Sequence, residues 1–139
     1  MCSVSHVAVG ALVGGLVGSR LYAFLIGFAS HIPLDVIPHI DFEDFRVDAI
    51  MSVALLVGIF AFSGFSPIFL GALGAVAPDF ENLLWKLGMI EEDRKVFPTH
   101  SGLIAHGRAK VGSGPATEVL MSAVSVSLVV LAFMIGGEH

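Results

Sequence analysis

Histidine and aspartate recur at four-residue intervals in three apolar stretches of the sequence. His6 opens the first stripe, and His31, Asp35 and His39 close the second. The third stripe ends at Asp79. Residues four apart lie on one face of an α-helix, and imidazole together with carboxylate suits zinc, manganese or iron better than calcium. The spacing therefore predicts a site for a divalent transition metal, with zinc as the first choice.

Glycine and alanine occupy the other positions of the same stripes. In chain order they are Gly10, Gly14, Gly18, Ala23, Gly27, Gly71 and Ala75. Small residues on one helix face let membrane helices approach closely. The face that packs each helix inward therefore also carries its histidine or aspartate into the interior of the bundle. Ionisable side chains in that position are energetically costly and usually mark a functional site.

The composition favours a membrane protein. Hydrophobic residues make up 55% of the 139 residues and charged residues only 14%, whereas a soluble domain carries about 25% charged residues. This length indicates one domain, residues 1–139. A net charge of −5 with only seven lysines and arginines argues against nucleic-acid binding, which depends on clustered basic residues. We expect membrane lipids as the surroundings and no nucleic-acid partner.

Five apolar segments can be drawn along the chain. They cover residues 4–18, 21–40, 49–62, 67–87 and 115–135. The stretch MSAVSVSLVVLAFMIGG in the last segment is free of charge, while the first and third segments fall short of the about 20 residues that a full span needs. We therefore expect an all-α fold, a polytopic membrane bundle of four to five helices. Its glycine-rich faces would also permit a homo-oligomer.

Basic residues lie mostly on one side of this topology. If all five segments span, only Arg20 falls on the side away from the N-terminus. The others are Arg46, Lys86, Arg94, Lys95, Arg108 and Lys110. The positive-inside rule places their side, and with it the N-terminus, in the cytoplasm. The predicted ligands belong to the same half, and the loop with His100 and His106 emerges there. We expect the metal site near the cytoplasmic face.

Four short motifs occur in a fixed order along most of the chain. They are Ser-His at residues 5–6, SHIPLDVIPHID at 30–41, GAVAPDFENL at 74–83 and THSG at 99–102. This ordered set resembles the membrane-bound metal-dependent hydrolase family of bacterial and archaeal inner membranes, whose members look like membrane relatives of zinc-dependent phospholipase C. The resemblance implies an inner-membrane protein with a metal site built from His6, His31, Asp35, Asp79 and His100.

The sequence departs from that family at one position. The family often continues proline-aspartate with a second acid, as in PDxD, where this chain has Glu81. On a regular helix Glu81 lies about 200° around from Asp79, so we expect it to point away from the metal. Asn82 shares the face of Asp79 and is the expected outer-shell residue. A single metal ion is therefore favoured over two.

The metal chemistry and the resemblance together predict a hydrolase for a phosphoester or a similar bond, in a small molecule or a lipid headgroup. A bound metal activates water and polarises a phosphoryl oxygen. Asp35 and Asp79 are the candidate catalytic residues, and whichever carboxylate the metal leaves free would act as general base. His106, Arg108 and Lys110 would neutralise a phosphate near the metal, and an ordinary membrane-proximal basic cluster explains Arg108 and Lys110 equally well.

Other interpretations of the same residues stay open at this point. One is a non-catalytic metal-binding or metal-transporting membrane protein. Another is a hydrogen-bonded pair of His31 and Asp35 that only locks two helices together. His39 continues the stripe, yet it lies at the polar border where an acidic loop begins. A proton or ion pathway is the third alternative, and it lacks polar positions in the non-cytoplasmic half.

Overall fold

Six α-helices make up most of the described chain. The structure is a computed structural model that describes residues 3–107, 110–111 and 115–136. The helices are α1 (Ser3–Val17), α2 (Arg20–Val36), α3 (Phe45–Ser63), α4 (Pro67–Val76), α5 (Asp79–Lys86) and α6 (Pro115–Gly136). A 3₁₀ helix (Glu92–Arg94) follows α5, and two-residue strands β1 (Ile40–Asp41) and β2 (Lys110–Val111) pair in parallel. The described chain is therefore predominantly helical, as the sequence predicts.

The fourth predicted segment, residues 67–87, is not one helix. α4 ends at Val76 and α5 begins at Asp79. Pro78 has no N–H to continue the hydrogen-bond ladder of α4, and the Glu81 N–H donates to the Pro78 carbonyl at 3.1 Å in a tight turn. The prediction of a single apolar segment is wrong here, because the proline separates the apolar α4 from the shorter and more polar α5.

Two other predicted boundaries shift for local reasons. The sequence predicts that α2 reaches residue 40, but the helix ends before Ile37, which is extended. The residue before a proline is biased toward this conformation, and Pro38 follows. The sequence predicts that α3 starts at residue 49, but the helix begins earlier. Asp44 caps it by accepting the Arg46 N–H at 2.8 Å, so part of the predicted acidic loop belongs to the helix start.

The small-residue stripes of α1, α2 and α4 face one another. α4 packs against both α1 and α2. A Cβ added to Gly10 would collide with the backbone oxygen of Gly71, and a Cβ added to Gly27 would collide with the same oxygen. Only glycine lets the three helix backbones approach this closely. The predicted packing through small residues is therefore present in the fold.

The apolar core lies between α1, α3, α4 and α6. Its fully buried members are small or branched, and they include Val7, Ala11, Ile59, Ala72 and Ala132. Small core residues bring helix axes close together, and many large apolar side chains are exposed on the outside of the bundle. The core thus holds the helices together without supplying the bulky interior that a soluble domain of this size requires.

One end of the bundle collects the starts of α1, α3 and α6. The Asp48 carboxylate of α3 accepts the N–H groups of Ser3 and Val4 at 2.9 and 3.1 Å, and so caps the otherwise unpaired donors of α1. The start of α6 lies nearby, because Glu118 accepts the Glu43 N–H at 3.2 Å. α2 and α4 end at the same end of the bundle where α1, α3 and α6 begin, so these helices alternate in direction.

Two described helices, α3 and α6, are long and apolar enough to cross a membrane. α3 and residues 116–136 of α6 have mean hydropathies of 2.0 and 2.5, and only 17% of each stretch is buried. α1 and α4 are also apolar but shorter, at 15 and 10 residues. The two long helices therefore present mainly apolar side chains to their surroundings.

Replacing Gly71 by alanine tests the close approach of α4 to its neighbours. The new Cβ would collide with the Gly10 backbone oxygen, so we expect the free energy of unfolding to fall by about 1–3 kcal/mol. Gly58→Ala in α3 is the matched control, because a Cβ there meets nothing within 4 Å and alanine is the better helix former by about 1 kcal/mol. Thermal unfolding in detergent, followed by circular dichroism, measures both. Equal unfolding midpoints for the two variants would contradict this packing.

Candidate metal centre

Five ionisable side chains meet at the end of the bundle where α2 and α4 finish. His6 lies in the first turn of α1, His31 and Asp35 lie near the end of α2, Asp79 begins α5, and His100 lies in the loop after the 3₁₀ helix. His31 is fully buried, and Asp35 and Asp79 are 4% and 3% exposed. The structure therefore brings together all five ligands that the family resemblance implies.

Three ligand atoms form a nearly equilateral triangle. Asp35 Oδ2 lies 3.2 Å from His31 Nε2 and 3.3 Å from His100 Nε2. The two imidazole nitrogens are themselves 3.3 Å apart. Tetrahedral zinc with bonds of about 2.0–2.1 Å separates its ligand atoms by about 3.3–3.4 Å. The triangle therefore has the size of one face of a tetrahedral zinc site.

The partners of two imidazole rings determine which nitrogen carries the proton. His31 Nδ1 lies 2.6 Å from the Ala75 carbonyl oxygen, which can only accept, so Nδ1–H is the donor. His100 Nδ1 likewise donates to Glu81 Oε2 at 3.3 Å. In the neutral rings both Nε2 atoms then carry lone pairs and face Asp35 Oδ2. Three acceptors this close repel one another unless a proton or a metal cation lies between them, and the second case is the arrangement around a bound metal.

Asp79 approaches the same point more loosely. Its Oδ1 lies 3.8 Å from His31 Nε2 and 4.0 Å from His100 Nε2. Its Oδ2 is buried and has no hydrogen-bond partner among the described residues. A buried carboxylate oxygen without a donor is energetically costly. Together with Asp35 it gives the buried cluster two carboxylates, whose charge a divalent cation would balance.

His6 joins the cluster from α1. His6, His31 and Asp79 have ligand atoms within 4.8 Å of one another and form a second combination that could hold a metal ion. His6 Nδ1 lies 2.7 Å from His31 Nδ1, and His6 Nε2 lies 3.6 Å from Asp35 Oδ1. Because His31 belongs to both combinations, the side chains form one continuous cluster and not two separate sites.

Glu81 anchors the loop that carries His100. Its carboxylate accepts the backbone N–H groups of Val96 and Phe97 as well as the His100 ring N–H. A helical wheel directs Glu81 away from Asp79, but the loop folds over that side of α5 and meets the carboxylate there. Glu81 is not a member of the cluster, but it orients the candidate ligand His100. Helix spacing alone does not indicate this role.

Thr99 is a site residue that sequence reasoning misses. Its hydroxyl donates to Asp35 Oδ2 at 2.5 Å, and the residue is 4% exposed. The Gly107 N–H also donates to the Asp35 backbone carbonyl at 2.7 Å. Both contacts come from the loop, so the end of α2 and the loop hold each other in place. The position of Thr99 next to His100 in the THSG motif was the available signal.

His39 does not join the ligand cluster. Its Nδ1 donates to the Ile37 carbonyl at 2.9 Å, and its Nε2 lies 3.3 Å from Asp41 Oδ1. It belongs to neither of the two ligand combinations found among the described residues. The stripe continues past the end of α2 in the sequence, but the helix does not, so His39 leaves the face that carries His31 and Asp35.

His106 lies at the edge of the cluster. Its Nδ1 is 3.6 Å from Asp35 Oδ2, and burial lowers the pKa of its imidazole below the ordinary value. The ring is therefore mainly neutral near pH 7 and contributes little positive charge toward a phosphate. The other two residues of that predicted basic group are Arg108 and Lys110. Arg108 and the Lys110 side chain lie outside the described part of the structure.

A polar cavity of about 310 Å³ opens beside the ligand atoms. Its lining includes candidate ligands and their neighbours together with polar, aromatic and basic side chains of α5 and the loop. The latter are Asn82, Trp85, Lys86 and Lys95. The predicted outer-shell residue Asn82 thus lines the cavity. A small polar molecule can reach the ligand atoms from this side.

Comparison with family models, with curated proteins and with solved structures finds no match for this chain. Two combinations of histidine and aspartate could hold a metal ion, and a polar cavity lies beside them. These are the features from which a function can be inferred. The donor types suit a transition metal without selecting one among zinc, manganese and iron.

We expect metal binding to depend on His100, which belongs to the cluster, and not on His39, which lies outside it. We expect His100→Ala to lower metal affinity by more than the about 10–100-fold that outer-shell changes cost, because it removes one corner of the ligand triangle. His39→Ala is the matched control and should bind metal as the unaltered protein does. Elemental analysis and zinc titration of the detergent-purified proteins measure both. Equal metal content in the two variants would exclude the triangle as the binding site.

Proposed function

We propose that this protein is a membrane-embedded, metal-dependent hydrolase that acts on a phosphoester or a similar bond. The supporting observation is the triangle of lone-pair atoms from His31, Asp35 and His100 beside an open polar cavity. Structural zinc sites are closed by four protein ligands, whereas catalytic sites keep a position that water or substrate can occupy. The cavity provides the access that a substrate needs.

Zinc is the proposed metal, with manganese or iron as alternatives. His31, Asp35 and His100 would hold the ion, and the Ala75 carbonyl and Glu81 keep the two rings turned toward it. A bound ion of this kind polarises a phosphoryl oxygen and lowers the pKa of water. Two imidazoles and one carboxylate are a common ligand set of hydrolytic zinc sites.

Asp79 is the carboxylate best suited to move a proton. Asp35 Oδ2 belongs to the triangle and also accepts the Thr99 hydroxyl, so it is committed to holding the ion. Asp79 Oδ2 has no hydrogen-bond partner among the described residues, and Asp79 lines the cavity. As general base it would take a proton from water. The water oxygen bonds to phosphorus, the bond from phosphorus to the ester oxygen breaks, and that oxygen takes up a proton.

We further propose that the bundle crosses the inner membrane four to five times, with the N-terminus in the cytoplasm. Large apolar side chains are exposed on α2, α3 and α6; Leu25, Ile50 and Val130 are 50%, 67% and 52% exposed. Contiguous exposed apolar surface requires a lipid or protein partner. Arg46 and Lys86 lie at the end that carries the ligand cluster, which agrees with the positive-inside rule.

We also propose membership of the membrane-bound metal-dependent hydrolase family, because the residues of its ordered motifs converge on one cluster. A structural metal site is the second candidate function. His31 is fully buried, and its ring contacts His6, the Ala75 carbonyl and His100. An ion at this point would join α1, α2, α5 and the loop, and would stabilise the fold without turnover.

The hydrolase proposal predicts that zinc-loaded protein cleaves phosphoesters and that Asp79→Asn slows this reaction. We expect kcat to fall by about 10²–10⁴-fold, the usual contribution of a general base, while metal content is retained. Asp93→Asn on the exposed 3₁₀ helix is the control and should have normal kcat. Measurements use a panel of phosphomonoesters, phosphodiesters and phospholipids.

Two results would contradict this assignment. Full activity in Asp79→Asn would remove Asp79 from the role of base. Metal-loaded protein without turnover on the whole panel, combined with a lower unfolding midpoint on chelation, would favour the structural metal site over the hydrolase.

Cysteine labelling tests the proposed topology. In a Cys2→Ser background, Phe65→Cys between α3 and α4 should react with a membrane-impermeant maleimide in intact cells. Glu91→Cys, in the loop that follows α5, should react only after the membrane is permeabilised, because the positive-inside rule puts that loop in the cytoplasm. Labelling of both positions in intact cells, or of neither, would be incompatible with this topology.

A further inference from the structure

Two lysines line the cavity without a negatively charged partner among the described residues. Lys95 is only 9% exposed, and its ammonium lies 3.6 Å from the centre of the Trp85 ring. The Lys86 ammonium lies 5.4 Å from the centre of the same ring. Neither lysine takes part in an ion pair within the described ranges. Lysine is rarely buried unless it is paired with an opposite charge, so the charge of Lys95 in particular requires explanation.

The candidate metal ligands Asp35, Asp79 and His100 line the same cavity. A divalent ion would balance their two carboxylates. The ammonium groups of Lys86 and Lys95 would then be the uncompensated charges of the described cavity lining. A ligand in this cavity would therefore gain most from negative charge beside these two lysines.

We propose that Lys86 and Lys95 form a subsite for the terminal phosphate of a phosphomonoester, held between the lysines and the metal centre. A terminal phosphate carries a charge of about −1.5 to −2 near pH 7, which matches two ammonium groups. A phosphodiester carries a single negative charge and one fewer free oxygen. The subsite thus selects monoesters over diesters.

Trp85 gives this subsite its rigidity. The indole face holds the Lys95 ammonium by a cation–π contact, while the apolar stem of the lysine is covered by the protein. A lysine fixed in this way loses less conformational freedom when it binds an anion than a freely moving one does. The cavity of about 310 Å³ has room for a phosphate and the first atoms of its alcohol.

This inference rests on the proposed function for its chemical outcome, since it names the substrate class of the same site. Binding of the phosphate does not require turnover and can be measured separately. A phosphatidic-acid headgroup and a soluble phosphomonoester present the same terminal phosphate. Both satisfy the proposal, and the experiment distinguishes them.

The test uses full-length, zinc-loaded protein in nanodiscs of neutral phosphatidylcholine. Inorganic phosphate and glycerol phosphate are titrated in by calorimetry, and a second set of nanodiscs contains phosphatidic acid, observed by ³¹P NMR. The variants are Lys95→Met and Lys86→Met, which keep the apolar stem of the side chain. Arg94→Gln is the control, because Arg94 is exposed and lies 3.9 Å from Glu91 on the surface. Zinc content and unfolding midpoint are recorded for every variant.

We expect each lysine variant to bind phosphate about tenfold more weakly or worse, as for loss of a charged hydrogen-bond partner. Zinc content should stay unchanged, and Arg94→Gln should match the unaltered protein. Binding of inorganic phosphate or glycerol phosphate would identify a soluble phosphomonoester as the ligand. A change in the ³¹P signal of phosphatidic acid, without binding of the soluble ligands, would identify a lipid headgroup as the ligand. Unchanged phosphate affinity in both lysine variants, or no binding in either arm, overturns the subsite. If Lys95→Met unfolds, Lys86→Met decides the result, because that side chain is exposed.

Two further outcomes separate the subsite from the hydrolase. Lysine-dependent phosphate binding without turnover on any phosphoester would keep the subsite and remove the proposed activity. Hydrolysis of phosphomonoesters that is unaffected by both lysine substitutions would keep the activity and remove the subsite.

Discussion

Acceptor atoms of two histidines and two aspartates converge in a buried volume, where a proton or a metal cation must lie between them to remove their repulsion. His31 and His100 each donate one ring N–H to a fixed acceptor, so in the neutral rings their remaining nitrogens are acceptors. They face Asp35 Oδ2 at 3.2 and 3.3 Å. Water cannot screen the repulsion there, because the side chains are almost fully buried. Most other features of this end of the bundle keep these acceptors together.

Close helix packing is the first of those features. Gly10 and Gly27 let α1 and α2 approach the backbone of α4 at Gly71. That approach brings His6 within 2.7 Å of His31 and places the Ala75 carbonyl against the His31 ring. A Cβ on either glycine would collide with the Gly71 backbone oxygen and so displace the helices that carry these side chains. Packing and ligand geometry therefore depend on the same glycines.

The loop after α5 is the second feature, and it connects the cluster to the cavity. Glu81 binds two backbone N–H groups of the loop and the ring of His100, while Thr99 binds Asp35. The loop thus closes the apolar bundle on one side and leaves the polar cavity open on the other. Under the proposed function, a buried cluster with a polar entrance at one end of an apolar bundle suits a substrate that carries an anionic group near the membrane surface.

Periodicity in the sequence alone determined the helical class, the small-residue faces and the placement of His6, His31 and Asp35 on those faces, because spacing of four residues follows directly from helix geometry. Asp79 follows the same spacing, but it begins a separate helix, and the tertiary structure brings it to the other three. Local rules also explain, after the fact, the ends of α2 and α4 at Pro38 and Pro78. Only the tertiary structure decided that His39 lies outside the cluster and that Glu81, Thr99 and the lysines belong to its surroundings. These residues depend on how an irregular loop folds over α5, and that path is set by contacts between residues distant in sequence, which no local pattern encodes.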